Sequence, residues 1–337
     1  MTHSLPDAPI HTLPTDFLDR ARVVQLPMRT RFRGIDVREV LLVEGPAGWA
    51  EFGAFPEYAP AEASKWLASC IEMGWAGPPA ALRETVEVNA TIPAVQAGQV
   101  AELLDRYPGC RTVKVKVAGE TSLAEDIARV EAVRAARPDM AVRCDANGNW
   151  SVAEAAEAAT ALTRNGPLDY LEQPCATVTE LAEVRRIANR LGLPMRIAAD
   201  ESIRRAEDPW EVVRADAADV AVVKAAPLGG PRALVRLGSQ LAEHGVALTV
   251  SSAIDSSVGM YAGLSAAAAL PNCQPSGLAT GSLFLEDVTE PRRLIDGHLA
   301  ATDLVPDPAR LDSLEAPADR RDWWFERVVA CVDYLGT

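Results

Sequence analysis

The sequence predicts an α/β protein in which a closed (β/α)8-type TIM barrel follows an α+β unit of different texture. Two observations carry the barrel. Between residues 88 and 275, eight short apolar runs alternate with amphipathic stretches, as expected of an all-parallel sheet buried on both faces. Lysines or carboxylates stand just beyond successive runs at intervals of roughly 25–30 residues, the length of one βα unit. A third observation sets the front of the chain apart: it holds a hairpin signal and none of this rhythm.

The first twenty residues mix prolines with small polar groups and show no sustained period, so a loosely packed lead-in is expected. β-prone stretches at 31–43 and 48–55 flank the turn Glu44-Gly45-Pro46-Ala47-Gly48 and predict a hairpin, and a helix is expected at 62–73. Barrel strands are expected at 88–92, 112–117, 141–144, 169–172, 196–199, 220–223, 247–250 and 272–275. Helices are expected between them at 122–136, 152–163, 178–191 and 231–244. No βα unit follows residue 291, and the closing stretch around Trp323-Trp324-Phe325 is expected to pack back on the front. The chain therefore divides into an α+β unit over 1–86, the barrel over 87–290 and a C-terminal segment over 291–337.

A chain of 337 residues buries a large core, and at ~150 residues per domain its length suits a barrel with an addition. With 33 basic and 47 acidic residues the formal charge is -14, and no strong basic block offsets it, so a nucleic-acid backbone would be repelled. The six cysteines, Cys70, Cys110, Cys144, Cys175, Cys273 and Cys331, form no Cys-x-x-Cys, and the start carries no basic-then-apolar leader. Reduced thiols in a cytoplasmic protein are the expectation. Apolar runs such as 220–223 and 266–270 fall short of the about 20 residues that a membrane span needs. Pattern and charge suit a monomer as well as a symmetric oligomer.

Asp145, Glu172 and Asp200 end three consecutive predicted strands, and a closed barrel aims side chains so placed at a common point. Three crowded carboxylates repel one another, whereas a hard divalent cation accepts their oxygens and stabilises the ionised forms. Mg²⁺ is the expected cofactor, with Mn²⁺ a possible substitute. Singly, each acid reads as an ordinary surface residue of a βα loop; the regular triplet favours the metal. Asn147 is a candidate site contact, while Asn149 reads as a residue that shapes the loop or caps the next helix. Glu201 either hydrogen-bonds around the site or is a solvated neighbour of Asp200.

Strand alternation sends Lys114 and Lys116 to the same side, and the flanking Val113, Val115 and Val117 make that side the barrel interior. An unpaired ammonium there is expensive. One such lysine would reach water along its stem, but two facing carboxylates read as functional. Lys224 ends the sixth predicted strand and approaches from the far side of the metal. The arrangement suits removal of a proton next to a carboxylate, with Mg²⁺ stabilising the charge of the enediolate. A nearby cation and partial desolvation favour the neutral lysine that such a step needs. Lys116, nearer the strand end, is the better base, and Lys114 tunes and orients it. Lys224 is either a second base on the opposite face or a cation that supports the intermediate. Ser251 and Ser252, after the seventh predicted strand, either donate to a substrate carboxylate or are small residues in a crowded barrel mouth. Arg143 either forms a salt bridge or binds an anionic substrate, with the structural role favoured. Gly53 and Phe55 either shape the front unit over substrate or simply end the hairpin, and Arg29, Arg31 and Arg33 read as surface charge beside it.

The segments Lys114-Val115-Lys116, Asp145-Ala146-Asn147, Glu172-Gln173-Pro174 and Asp200-Glu201-Ser202, with the strand-end Lys224, resemble the enolase superfamily, whose sites pair a lysine or histidine base with Mg²⁺. The resemblance spans nearly the whole chain, including residues 31–34, 48–52 and 88–93. It implies a barrel and a capping domain built from the N-terminal segment plus C-terminal residues, with loops that close over substrate. Arg143 before Cys144-Asp145, the segment Val88-Asn89-Ala90-Thr91-Ile92-Pro93 and the run Ser251-Ser252-Ala253-Ile254-Asp255-Ser256-Ser257-Val258-Gly259 further resemble the o-succinylbenzoate synthase family of the actinobacterial type. That resemblance implies a small anionic carboxylate substrate, 2-succinyl-6-hydroxy-2,4-cyclohexadiene-1-carboxylate, dehydrated to 2-succinylbenzoate in menaquinone biosynthesis. Lys116 would take the proton alpha to the ring carboxylate and then protonate the leaving hydroxyl on the same face. Lys224 would stabilise the enediolate without moving a proton.

A racemase of N-succinylamino acids would use nearly the same residues, with Lys116 and Lys224 as opposed bases. Muconate cycloisomerisation fits the same plan with a weaker resemblance. The eighth predicted strand carries no Asp-x-Asp of the kind that dipeptide epimerases present to an ammonium group. Mandelate-type racemisation needs a strand-end histidine, and His3, His11, His244 and His298 do not supply one. A nonenzymatic metal- or small-molecule-binding barrel explains the fold but leaves two inward lysines facing a third without a reason. No Gly-x-Gly-x-x-Gly supports a dinucleotide site, and no grouping of cysteine with histidine supports structural zinc.

Overall fold

The computed structural model describes residues 12–32, 34–204 and 210–336. At the front, β1 (Ala21–Phe32), β2 (Ile35–Gly45) and β3 (Gly48–Phe52) form an antiparallel sheet in that order. The expected hairpin is the β2–β3 pair, closed at Gly45 and Gly48. The strand β1 departs from the expectation, which began the first strand at residue 31. Pro27 interrupts its pattern, but β1 lies at the edge of the sheet, where a missing N–H costs no ladder bond. The expected lead-in lies outside the described residues as far as residue 11, as do His3, His11 and Arg33. The part that is described is packed: Phe17 is fully buried and stacks on Trp75 at 5.6 Å. The helix α1 (Pro60–Ile71) starts on a proline, whose fixed φ suits the first turn, and runs on into a π-helical turn at Glu72–Ala76.

A short strand β4 (Thr85–Glu87) leads into the barrel. Seven strands then pair in parallel in sequence order. They are β5 (Ala90–Ile92), β6 (Thr112–Lys116), β7 (Ala141–Asp145), β8 (Tyr170–Glu172), β9 (Arg196–Ala199), β10 (Val220–Val223) and β11 (Ala247–Val250). Helices α2 (Val100–Leu104), α3 (Leu123–Ala136), α4 (Val152–Leu162) and α5 (Val178–Leu191) follow the first four strands. After β9 come α6 (Glu201–Arg204) and α7 (Glu211–Arg214), and α8 (Pro231–Glu243) and α9 (Met260–Ala269) follow β10 and β11.

The eighth strand expected at 272–275 is not a regular strand. The segment at 274–277 closes the seam through isolated bridges, Ser276 to Val88 on one side and Gly277 to Ser251 on the other. Gln274 donates to Leu248 O at 3.0 Å, and Asn89 donates to Ser276 O at 2.9 Å. Pro275 has no N–H to give, so a continuous ladder cannot form through it.

Outward residues of the strands, such as Val113, Val115, Cys144, Leu171 and Val223, join the helices in one large core. The inward face is different. Tyr170, Ala198, Val220 and Val222, with Ala247 packed against them, make a small apolar plug beside polar and charged groups such as Lys114, Arg143, Asp145 and Glu172. Helices α3, α4 and α5 each begin with a reciprocal capping box, Ser122 with Glu125, Ser151 with Glu154 and Thr177 with Glu180. Each box ends the loop that follows a lysine- or carboxylate-bearing strand, and so fixes where that loop stops.

At the C-terminal side, β12 (His298–Ala300) pairs with β4, and α10 (Pro308–Ser313) leads to α11 (Ala318–Val332). The last helix lies against α1 and β1. Its Trp324 is fully buried, meets Phe52 edge-on at 5.5 Å and donates from Nε1 to Glu39 at 3.2 Å.

The front sheet meets the barrel through charged groups as well as apolar ones. Arg38, buried under the ring of Phe55, donates to Ile254 O at 3.1 Å and to Gly53 O. The Glu51 carboxylate accepts from Ser256 N at 2.9 Å. Burial, with the charge of Asp255 behind it and that of Arg38 against it, pushes Glu51 up to about 7. A carboxyl raised in the folded state contributes stability at low pH that is lost as pH rises through its folded value. Glu51→Gln, facing the same Asp255, Arg38 and Cys70, is therefore expected to melt above the wild type at pH 8, with the gap shrinking towards pH 5. Thermal melts at the two pH values check this, and a gap that widens on acidification would contradict it.

Candidate active site

The carboxyl ends of β5, β6, β7, β9, β10 and β11 open into a cavity of about 470 Å³, and Glu172 at the end of β8 lies outside its lining. Strand register sets the charged cluster, because Lys116 pairs with Asp145 and Asp145 with Glu172 across neighbouring strands. Their side chains therefore stand side by side, and Asp200 follows at the end of β9.

The structure brings the three lysines into hydrogen-bonded contact with the three acids. Lys114 Nζ donates to both oxygens of Glu172 at 3.1 Å and stands 3.1 Å from Asp145 Oδ2. Lys116 Nζ is 2.5 Å from Asp145 Oδ2 and 2.7 Å from Asn147 Oδ1. On the other side, Lys224 Nζ donates to both oxygens of Asp200 at 2.8 and 2.7 Å. Asp145, Glu172 and Asp200 are 1%, 0% and 4% exposed, so these contacts act with little solvent between them.

Burial shapes the charge states. It works against an ionised Asp145, but Lys116 and Lys114 overcome it and hold that carboxyl well below the usual carboxylate range. Glu172 goes the other way: burial first, then the charge of Asp145, pushes it up to about 7 against the pull of Lys114. Burial lowers Lys114, yet Glu172 and Asp145 outweigh it and keep its ammonium protonated well beyond the ordinary range.

As placed, the carboxylates turn onto the lysines, and no three acidic, histidine or cysteine side chains among the described residues form a cluster tight enough for a metal. The donor set nonetheless fits a hard cation. It is all oxygen, it comes from three adjacent strands, and its middle member is pushed towards protonation by burial and then by its acidic neighbours.

The less certain candidates separate. Asn147, at a φ of 49°, accepts from Lys116 and donates to Glu201 at 3.4 Å, which links the base candidate to the acid after Asp200. Asn149 donates to Ala118 O at 3.0 Å and shapes the loop. Ser251 and Ser252 line the cavity, and Ser252 Oγ is 2.7 Å from Thr280 Oγ1. Arg143 lies in the barrel beneath the cavity, not in its lining. It binds Asp169 at 2.7 Å, Asn89 at 3.1 Å and Pro275 O at 2.6 Å, and covers the ring of Tyr170. The structural role is the one its surroundings give it.

Gln173 is a residue whose part the sequence did not reveal. Its Oε1 accepts from Asp200 N at 3.0 Å and Ser202 N at 3.2 Å, and its Nε2 donates to Ser202 Oγ at 2.7 Å. A φ of 40° aims this buried side chain at the next strand end, so Gln173 holds the backbone that presents Asp200. Its place directly after Glu172 was the only available signal. A larger groove of about 890 Å³ on the flank, between Tyr107, Phe284 and Leu294, contains none of the six charged residues. No helix among the described residues is long and apolar enough to cross a membrane.

Residues 97–306 match the family described as Enolase C-terminal domain-like, and residues 23–74 the one described as Enolase N-terminal domain-like. The o-succinylbenzoate synthase of Mycobacterium marinum is 60% identical over 327 residues, covering 96% of each chain. That of Mycobacterium tuberculosis strain H37Rv is 60% identical over 320 residues, covering 94% of this chain and 95% of its own. Among solved structures, the muconate lactonizing enzyme from Pseudomonas putida superposes with a TM-score of 0.72 at 22% identity, over 88% of this chain and 98% of its own, which is a likeness of fold.

Proposed function

The chain belongs to the o-succinylbenzoate synthases of the enolase superfamily, and from that membership we propose that its barrel mouth dehydrates 2-succinyl-6-hydroxy-2,4-cyclohexadiene-1-carboxylate to 2-succinylbenzoate in menaquinone biosynthesis. The observation that carries the mechanism is the opposition of Lys116 and Lys224 across three buried carboxylates. The reaction breaks a C–H bond alpha to a carboxylate and a C–O bond on the neighbouring carbon, and the ring becomes aromatic. Lys116, as the free amine, takes the proton on one face. The same ammonium then hands it to the departing hydroxyl, which leaves as water. One group serves both steps only if proton and hydroxyl leave from the same side, so the elimination is syn. Lys224, hydrogen-bonded to both oxygens of Asp200, faces the developing enediolate and lowers its energy. Asn147 steadies the Lys116 amine between proton transfers, and Lys114 offsets the charge of Glu172 and Asp145.

Asp145, Glu172 and Asp200 are the residues that would hold Mg²⁺, with Mn²⁺ as a substitute. Bound there, the ion supplies a fixed positive charge beside the substrate carboxylate and makes the alpha proton more acidic.

The test is turnover of freshly generated substrate by the purified protein, with racemisation of N-succinylamino acids followed in parallel. Dehydration that far exceeds racemisation is expected. Racemisation without dehydration would move the chain to the opposed-base reading, and neither activity would remove the assignment. A chelator is expected to abolish turnover and added Mg²⁺ to restore it; undiminished turnover in the chelator would exclude the metal role of the three carboxylates.

A further inference from the structure

The loop after β11 carries an anomaly two residues beyond the cavity-lining Ser252. Ile254 has a φ of 60°, in the left-handed region. A β-branched side chain is strained there, and such strain persists only where the surroundings impose it. Ile254 is also 3% exposed and lines the cavity, so its conformation is part of the site wall.

What imposes it comes from outside the barrel. Arg38 of β2 donates from Nε to Ile254 O at 3.1 Å, and two residues further on the Glu51 carboxylate of β3 takes Ser256 N at 2.9 Å. The fit leaves no slack. A Cβ on Gly53 would come within 2.6 Å of Glu51 Oε1 and 2.9 Å of Arg38 Nη2, and one on Gly259 within 2.5 Å of Glu51 Oε2. The other end of the loop is tied elsewhere: Ser257 N and Oγ donate to Asp287 at 2.9 and 3.0 Å, and Ser257 O accepts from Arg292 at 2.9 Å. The front sheet therefore grips the half of the loop that leads to Ser251 and Ser252. Asp255, between the two grip points, shares a small cavity with Ser251 and Lys224.

We propose that Arg38 and Glu51 are positioning residues for the reaction: through Ile254 and Ser256 they hold the 251–256 segment in its strained conformation and so place the serines that receive the substrate anion. The role of the serines rests on the proposed function; the grip itself does not. Neither residue touches the cavity, and each acts only through the loop.

The test uses Glu51→Ala, Glu51→Gln and Ser252→Ala in the full-length protein. Removing the acceptor of a buried N–H is expected to raise KM about tenfold in Glu51→Ala, with kcat within about threefold of wild type. Glu51→Gln keeps an acceptor and is expected to restore KM. In the double variant Glu51→Ala/Ser252→Ala the two losses are expected not to multiply, because both pass through one loop. Amide hydrogen exchange needs no substrate, and Ser256 N–H is expected to exchange at least about tenfold faster in Glu51→Ala. Arg38→Lys keeps the charge but cannot fork between Gly53 O and Ile254 O, and gives the same exchange signature if Glu51→Ala does not fold. Unchanged exchange across 251–257, or losses that multiply independently, would overturn the positioning role while leaving the dehydration assignment intact. A wild type that fails to dehydrate removes the assignment, and the exchange result still decides the grip.

Discussion

Lys116→Ala is expected to lose dehydration by a factor of about 10⁴ or more and to lose exchange of the alpha proton with solvent as well. Both losses follow from one residue serving as the base that takes the proton and the acid that returns it. Lys116→Arg sharpens the result. Arginine keeps a cation beside Asp145 and Asn147, but its guanidinium holds its proton too tightly to serve as a base near neutral pH. The arginine variant is therefore expected to be as inactive as the alanine variant although the charge of the site is preserved. Incubation in deuterated solvent, with the alpha position followed by NMR, is the decisive readout. Appreciable exchange in either variant would mean that another group removes the proton.

Lys224 is expected to behave differently. Its ammonium is fixed by two hydrogen bonds to Asp200, an arrangement suited to a standing charge. Lys224→Ala is expected to lower kcat about 10²- to 10³-fold, the usual scale for deleting one preorganised group that stabilises a developing anion. Lys224→Arg is expected to recover a large part of that loss, since it returns the charge. In the opposed-base reading arginine would be no better than alanine, because a base must release its proton. The ratio of the two variants in the dehydration assay therefore separates a charge from a base. Equal and severe losses would transfer Lys224 to the proton-moving role.

The interface of the front sheet with the barrel adds a layer to this chemistry. Glu51 and Arg38 stand on strands of the front sheet, yet their bonds end on the loop that lines the cavity. Damage to the front unit would therefore be felt at the serines of the site through hydrogen bonds that can be tested one at a time.

Much of this architecture was written locally. The period of apolar runs placed six of the barrel strands to within a residue or so, and the strand-end acids and lysines followed from one βα unit per charged residue. Capping boxes at Ser122, Ser151 and Thr177 are legible as Ser/Thr-x-x-Glu signatures beside the helical periodicity. β1 was not legible, because Pro27 looks like a break until the strand is known to sit at an edge. Residues 272–275 read as a strand, whereas the seam is closed by 274–277 through isolated bridges, because Pro275 lacks a donor.

The sequence by itself determined which chemistry the protein carries: three oxygen donors and three amines, ordered along the strands of a barrel. Tertiary structure alone decided how they are paired. Lys114 goes to Glu172, Lys116 to Asp145 and Asn147, and Lys224 to Asp200, because parallel register and barrel closure bring together residues that are 24 to 58 positions apart. It also decided that Arg143 lies beneath the cavity, that Gln173 presents Asp200, and that Arg38 and Glu51 reach across to a loop more than 200 residues away. Local patterning can specify an element and the face it buries. A hydrogen bond between distant elements exists only once the whole chain has closed around it.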